Sequence, residues 1–222
     1  MVSRLYCHIR KEINKMIIDI CKYQGHIDWS KAVADCKTKN DELELVIHRV
    51  CGRDLVIDSE IEYNLMETIA RGIPMHYYKF MYSRTAQEAY KEITTTLHNM
   101  ERIGAFCKDI IEYPTLWLDF EKWDNREYTK DEIANAYSGA VMAVIDCGYD
   151  DSDLGLYCNL NYIRNYVPNM LHAHKLWLAQ YNKTLSNDAK LKNYDLQIWQ
   201  YSSKGVIDGI PNVVDLNKKI KG

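Results

Sequence analysis

The segment Pro114-Thr-Leu-Trp-Leu-Asp-Phe-Glu121 is an apolar run that ends in two carboxylates. Its leucine, tryptophan and phenylalanine side chains predict a buried strand, in which a carboxylate is costly unless it is paired or used. Side chains two positions apart on a strand project to the same face, so Asp119 and Glu121 point the same way. The sequence therefore predicts two acids side by side at the end of a buried strand.

Two neighbouring acids have a chemical consequence. The negative charge of one carboxylate raises the pKa of the other, so the pair holds one proton and one negative charge near neutral pH. Enzymes that hydrolyse glycosidic bonds use this combination. The alternative is that both acids cap the strand and bind helix N-termini or solvent, and the Asp-x-Glu spacing alone favours neither interpretation.

The strand that carries Asp119 is one of several apolar runs that alternate with helical patterns, which is typical of parallel β/α units. Before it we predict strands at 16–21, 43–49 and 74–82. We also predict a helix at 28–39, a second helix that ends at Gly72, and a third that begins at Ser83 or Thr85. After it we predict a helix from Thr129 to about Cys147, then strands at 155–158, 176–181, 196–201 and near 213–215. The pattern predicts one α/β domain, a barrel-like β/α fold with an irregular second half.

The composition excludes some classes of partner. Of 222 residues, 47% are hydrophobic and 27% are charged, which suffices for a core and is typical of a soluble surface. The net charge of −3 provides no basic surface, so we expect neither a nucleic acid partner nor electrostatic capture on a membrane. No apolar run reaches the roughly 18–20 residues that span a bilayer. We expect a monomer.

The N-terminal residues and the cysteines bear on the compartment. Residues 1–11 are charged and contain no apolar run, so they predict no secretory signal peptide. The seven cysteines are odd in number and form no CxxC pair, which is typical of thiols in a reducing compartment. The sequence predicts no disulfide framework, no metal site and no cofactor.

Seven segments in sequence order resemble the motifs of glycoside hydrolase family 25, the N-acetylmuramidase lysozymes found among phage endolysins and bacterial autolysins. They are Ile18-Asp-Ile-Cys-Lys-Tyr-Gln-Gly-His-Ile-Asp-Trp29, Val46-Ile-His-Arg-Val50, Gly72-Ile-Pro-Met-His-Tyr-Tyr-Lys-Phe80, Leu116-Trp-Leu-Asp-Phe-Glu121, Leu176-Trp-Leu-Ala-Gln-Tyr-Asn182, Ile198-Trp-Gln-Tyr-Ser-Ser203 and Asn212-Val-Val-Asp-Leu-Asn217. Together they span nearly the whole chain, and their joint order is more specific than any one of them. The resemblance favours the catalytic interpretation of Asp119 and Glu121.

The resemblance implies a flattened, irregular TIM-like β/α barrel with fewer helices in its second half. In such folds the working residues gather at the C-terminal ends of the strands. Glu121 then resembles the family's general acid/base, and Asp119 its partner carboxylate. Asp19, at the end of the first strand, and Asp215, at the end of the last strand, resemble two further acids that line the groove, although Asp215 could also be a plain surface residue.

A second group of residues falls where family members bind substrate: Tyr78, Trp199, Tyr201, Tyr157, Gln24 and Arg49. Flat rings suit the faces of sugars, but any one of these aromatic residues is more often part of a core. Gln24, like Gln200, could donate hydrogen bonds to sugar hydroxyls or simply tie loops together. Arg49 could bind substrate or pair with Asp19.

The resemblance implies cleavage of the β-1,4 bond between N-acetylmuramic acid and N-acetylglucosamine in bacterial peptidoglycan. Glu121 would protonate the leaving oxygen and then activate water, while Asp119 would act through the acetamido group of the substrate. The sequence does not choose between retention and inversion of configuration. With no signal peptide, the protein is expected in the cytoplasm until a holin or lysis releases it to the cell wall.

Two alternatives compete with this interpretation. A chitinase-like glycosidase would carry Asp-x-x-Asp-x-Asp-x-Glu, but Pro114 and Trp117 occupy the upstream acidic positions. A non-catalytic wall-binding module on the same fold would have no reason to keep all four acids.

Two features depart from the family pattern. Cys21 stands where the opening motif has a serine, and a thiol is a poorer hydrogen-bond partner than a hydroxyl. Residues 1–15 precede the usual start of the family. We therefore expect a loosely ordered extension at 1–15 and a single catalytic domain at 16–222.

Overall fold

The strands of the computed structural model, which describes residues 13–105, 114–172 and 174–220, close into a barrel. Within these ranges the strands are β1 Asn14–Ile20, β2 Asp41–Arg49, β3 Met75–Phe80, β4 Leu116–Asp119, β5 Leu154–Asn159, β6 Lys175–Ala179, β7 Asp195–Gly205 and β8 Val214–Lys219. Neighbours from β1 to β7 pair in parallel, whereas β8 runs antiparallel to both β7 and β1 and closes the ring. The predicted α/β barrel with TIM-like topology is confirmed.

Helices cover the first half of the barrel more fully than the second. They are α1 Trp29–Thr38, α2 Ile61–Ala70, α3 Ala86–Arg102, α4 Lys130–Asp146 and the short α5 Leu160–Asn165. In the described part of the chain, a short 3-10 turn at Ala189–Asn193 lies between β6 and β7, and no α-helix lies between β7 and β8. The second half of the barrel has fewer and shorter helices than the first, as the sequence predicted.

The two long helices begin at capping boxes. The Thr129 hydroxyl accepts from the backbone N–H of Glu132, and the Glu132 carboxylate accepts from the backbone N–H of Thr129 at 2.9 Å. Thr85 and Glu88 repeat the arrangement at the start of α3. Each box satisfies backbone donors that the first turn of a helix leaves free, so the predicted helix starts at Thr85 and Thr129 are confirmed.

Successive side chains on a strand face opposite sides of the barrel wall, so the core has one layer under the helices and one around the barrel axis. On β4, Leu116 and Leu118 pack toward the helices, while Trp117 points into the barrel. Trp117 meets Trp177 of β6 edge to face with ring centroids 5.9 Å apart. Its ring occupies the space beside Gly155, where an added Cβ would lie 2.4 Å from the indole. Asp119 has the parity of Trp117, so its side chain also faces the barrel axis.

The first strand starts earlier than the sequence predicted. The backbone N–H of Asn14 donates to Asn40 O at 3.0 Å, and its side chain donates to Asp41 Oδ1 at 3.1 Å. Asn14 and Lys15 therefore belong to the barrel. The expectation of a loosely ordered extension otherwise falls on residues 1–12, which lie outside the described residues, as do Cys7 and Cys107.

In the described ranges, no helix is long and apolar enough to cross a membrane.

Candidate active site

Strands β1, β4 and β8 bring four acids to the same end of the barrel. Asp19 and Asp215 are directly paired across the antiparallel β1–β8 contact. Asp119 is the last residue of β4 and pairs with Tyr157 of β5. Glu121 follows two residues later, with its Oε1 3.4 Å from the Tyr157 hydroxyl. The structure thus gathers all four acids that the sequence singled out.

Two amides hold the acids of β1 and β8. Gln200 Nε2 lies 3.0 Å from Asp19 Oδ2 and 3.5 Å from Asp215 Oδ2. Asn217 Nδ2 donates to Asp19 Oδ2 at 2.7 Å, and Asn217 Oδ1 in turn accepts from Trp177 Nε1 at 2.8 Å. The Oδ2 atoms of Asp19 and Asp215 therefore accept hydrogen bonds from side chains that are buried in the barrel.

The same Gln200 amide links the acids to two phenols. Its Oε1 accepts from the hydroxyl of Tyr157 at 2.9 Å and from that of Tyr181 at 2.8 Å. Gln200 and Tyr157 are buried, whereas Tyr181 is 55% exposed at the rim. The network thus runs from the barrel interior to the surface.

Burial dominates the electrostatics of the acids. It raises the pKa of Asp119 well above its usual range, and the negative charges of Glu121 and Asp19 add to the effect while Lys79 opposes it. Burial also raises the pKa of Glu121; a hydrogen bond donated by Tyr157 would lower it, and the negative charge of Asp215 adds to the rise. The pKa of Asp19 is raised first by burial and then by the negative charge of Asp215. The cleft therefore retains protons at a pH where exposed carboxyls have lost them.

One oxygen of the site has no partner. Asp119 is 5% exposed, and among the described residues its buried Oδ1 accepts no hydrogen bond. A buried carboxylate oxygen without a donor is costly, because nothing replaces the water it has lost. The atom is thus an acceptor available to a ligand that carries an N–H or O–H group.

A buried ion pair supports the end of β3 beside this cleft. Lys79 is fully buried, and its Nζ lies 2.7 Å from Glu92 Oε1 of α3. The Glu92 carboxylate also accepts from the backbone N–H of Ser83 at 3.0 Å. These contacts fix the chain that carries Tyr82, whose ring packs edge to face on Trp123 with centroids 5.5 Å apart.

Tyr78 lies close to the acids, whereas Arg49 is paired with a different carboxylate. Tyr78 points into the barrel, with its ring 6.1 Å from that of Trp177. Burial raises the pKa of its hydroxyl well above the usual range, and the charge of Asp19 is among the smaller contributions. The Arg49 guanidinium binds Asp58, with Nε 2.9 Å from Oδ2, and lies 5.0 Å from the centre of the Tyr23 ring. Arg49 is therefore paired with Asp58 and not with Asp19.

The structure does not bring Trp199 and Tyr201 to the acids. Both flank Gln200 on β7, so they project to the opposite, outer side of the strand. The Trp199 indole donates to Gln180 O at 2.7 Å, and Lys218 Nζ lies 4.5 Å from its ring centre. These contacts assign the two aromatic residues to the outside of the barrel, and the prediction that they line the groove is not supported by their position.

Gln24 links two loops of the protein, which is the alternative to binding sugar hydroxyls. Its Oε1 accepts from the backbone N–H of Cys21 at 2.8 Å and from the Cys21 thiol at 3.3 Å. Its Nε2 donates to Val213 O at 3.0 Å. The thiol thus takes part in the same small network that a serine hydroxyl would join.

Sequence reasoning missed Tyr181 and Asn217. Asn217 is two positions beyond Asp215 on β8, and the two-residue period of a strand would have placed it on the same face. Tyr181 follows the end of β6, and no pattern in the sequence indicates its contact with Gln200. Among the described residues, no group of histidine, cysteine and acidic side chains is arranged to hold a metal ion.

A barrel of mostly parallel strands with paired, buried carboxyls at one end is typical of the class of glycoside hydrolases. The model of the family described as glycosyl hydrolases family 25 matches residues 18–210. The chain belongs to this family, as its motifs predicted.

Several solved structures share the fold of this chain. The modular autolysin LytC from Streptococcus pneumoniae, in complex with a synthetic peptidoglycan ligand, is 21% identical with a TM-score of 0.76, covering 91% of this chain and 46% of that chain. A bacterial lysozyme from Streptomyces coelicolor is 17% identical with a TM-score of 0.71, covering 93% and 92%. The catalytic domain of endolysin ply40 from bacteriophage P40 of Listeria monocytogenes is 20% identical with a TM-score of 0.66, covering 93% and 93%.

The chain spans about half the length of the LytC autolysin that it matches. A comparison with curated protein sequences finds no match.

Proposed function

We propose that the chain hydrolyses peptidoglycan at the β-1,4 bond between N-acetylmuramic acid and N-acetylglucosamine. Membership of family 25 supports a glycoside hydrolase, and the similar structures include an autolysin bound to a peptidoglycan ligand and a lysozyme. The observation that carries the proposal is the pair Asp119 and Glu121, both with raised pKa values, at the mouth of the barrel.

Glu121 is the general acid/base of this proposal. It lies beyond the end of β4 and is only partly buried, so a glycosidic oxygen can reach it. Its raised pKa keeps the carboxyl protonated to a higher pH than an exposed glutamate, as a general acid requires. Glu121 first protonates the leaving oxygen and then, as a carboxylate, takes a proton from the attacking water.

Asp119 acts on the substrate's acetamido group. Its unpartnered Oδ1 is an acceptor for the acetamido N–H, which turns the acetamido oxygen toward the anomeric carbon. A negative charge on Asp119 then stabilises the positive charge that develops on the acetamido group. This route retains configuration and is one of the recognised exceptions to displacement by an enzyme carboxylate.

Purified bacterial walls test the proposed substrate. Incubation with peptidoglycan sacculi from several bacterial genera should release soluble muropeptides and lower turbidity, whereas chitin of matched particle size should release little. Chitin lacks the lactyl ether and stem peptide of muramic acid. Equal release from chitin would favour a chitinase-like specificity, and binding to walls without release would identify a non-catalytic module.

A further inference from the structure

Tyr157 has more acceptors around it than protons to give. Its hydroxyl oxygen lies 2.9 Å from Gln200 Oε1 and 3.4 Å from Glu121 Oε1. A phenol carries a single O–H proton, so it donates one hydrogen bond and accepts others. The shorter contact, to Gln200, takes the proton.

The orientation of the Gln200 amide strengthens this assignment. Its Nε2 faces Asp19 Oδ2 and Asp215 Oδ2, and carboxylate oxygens accept hydrogen bonds. Its Oε1 therefore faces the hydroxyls of Tyr157 and Tyr181, both of which must donate. The acids of β1 and β8 thus determine, through one amide, which way the Tyr157 proton points.

The consequence reaches Glu121. With its proton committed to Gln200, Tyr157 presents oxygen lone pairs to Glu121 Oε1. An ionised Glu121 would be repelled by them, whereas a protonated Glu121 can donate its O–H to the Tyr157 oxygen. We propose that Gln200 and Tyr157 are positioning residues that hold Glu121 in the protonated form from which it acts as the general acid. This inference rests on the proposed role of Glu121.

The hydrogen-bonded chain from Gln200 through Tyr157 to Glu121 is called the relay below. Other groups face Glu121 from the surrounding strands, and the relay acts together with them. Burial and the negative charge of Asp215 favour the protonated form of Glu121, whereas a hydrogen bond donated by the Tyr157 hydroxyl would oppose it. The titratable groups that interact with Glu121 directly or through the acid cluster include Asp19 of β1, Tyr78 and Lys79 of β3, Asp119 of β4, Tyr157 and Cys158 of β5, Tyr181 after β6, and Asp215 of β8.

Two variants test whether the Tyr157 hydroxyl accepts a hydrogen bond from Glu121 or donates one to it. Tyr157→Phe removes the acceptor, and Gln200→Met frees the Tyr157 proton to donate to Glu121. Both changes should lower the pKa of Glu121 by roughly half to one unit, the size of one hydrogen bond. The basic limb of the pH profile of kcat/KM on peptidoglycan should move to lower pH. A ¹³C NMR titration of the Glu121 carboxyl, assigned by its loss in Glu121→Gln, should show the same shift.

A hydrogen bond donated by Tyr157 to Glu121 would predict a change of the Glu121 pKa in the opposite direction. A Tyr157 hydroxyl that donated to Glu121 would lower the pKa of Glu121, so Tyr157→Phe would raise it and Gln200→Met would leave it in place. Either of those results overturns the relay, as does the absence of a shift in both variants. Tyr181→Phe is the matched control, because it removes a donor to Gln200 but no hydrogen bond to Glu121, and the Glu121 titration should stay within about 0.2 units of the wild type.

The two readouts separate this inference from the proposed function. Wild-type protein without lytic activity would contradict the proposed function, while the NMR titration would still test the relay. Active wild type with a shift of the wrong sign would contradict the relay alone.

Discussion

Glu121 carries the chemistry at the scale of single residues. Glu121→Gln keeps the shape of the side chain and removes only the transferable proton, so the loss should equal the contribution of general acid/base catalysis. We expect kcat on peptidoglycan to fall by roughly 10²–10⁴-fold with an unchanged circular dichroism spectrum. Glu62→Gln on the exposed face of α2 is the matched control and should keep full activity. Substantial lysis by Glu121→Gln would assign the acid elsewhere.

Asp119 connects catalysis with stability. Its pKa is raised in the folded protein, chiefly by burial, so the folded state binds this proton more tightly than the unfolded chain. The stability of the fold therefore falls as pH rises from the unfolded pKa of about 4 through the raised folded value. Asp119→Asn removes that penalty. It should raise the melting temperature at pH 8 by about 2–4 °C for each kcal/mol relieved, but give little gain at pH 4.

The same variant should lose nearly all activity, so stability and function would move in opposite directions. Asp208→Asn, at an exposed position, is the control and should show no such dependence on pH. A lower melting temperature for Asp119→Asn at pH 8 would contradict the electrostatic account of this residue.

At the scale of elements, the junction of β3 and α3 depends on the buried pair of Lys79 and Glu92. Removal of one member leaves the other as an uncompensated buried charge, which costs more than the pair is worth. Lys79→Met should lower the free energy of unfolding by about 3–5 kcal/mol in urea denaturation. Lys79→Met combined with Glu92→Gln should recover part of that loss, since the neutral amide still accepts from the backbone N–H of Ser83. A double variant less stable than Lys79→Met would refute this view.

Strand β7 shows why part of the site could be predicted from sequence and part could not. The motif Ile198-Trp-Gln-Tyr predicts a strand, but successive side chains face opposite sides, and only one set can reach the groove. The structure turns Gln200 inward and Trp199 outward. Which set points inward depends on the register with β6 and β8, and this register shifts at irregularities on both sides of the strand.

At the scale of the whole molecule, the alternation of strands and helices was enough to predict the barrel, because parallel β/α units have few ways to close. Asp119 and Glu121 could be predicted because they end and follow an apolar strand, and Asp19 and Asp215 because they belong to family motifs. Asp215 lies near the start of β8 and not at its end as predicted. The Gln200 network could not, since it joins residues from β1, β5, β7 and β8, and Gln200 lies 181 positions from Asp19, to which it is hydrogen-bonded. Contacts of that kind arise only when the barrel closes.

The chemical identity of the cleaved bond tests the central claim most directly. Peptidoglycan digested by the protein is reduced with borohydride, which converts the new reducing ends to sugar alcohols, and the products are resolved by mass spectrometry. The proposed cleavage, with Glu121 protonating the oxygen that leaves N-acetylmuramic acid, predicts muramitol at the new ends. Glucosaminitol in its place, or no new reducing ends, would contradict it.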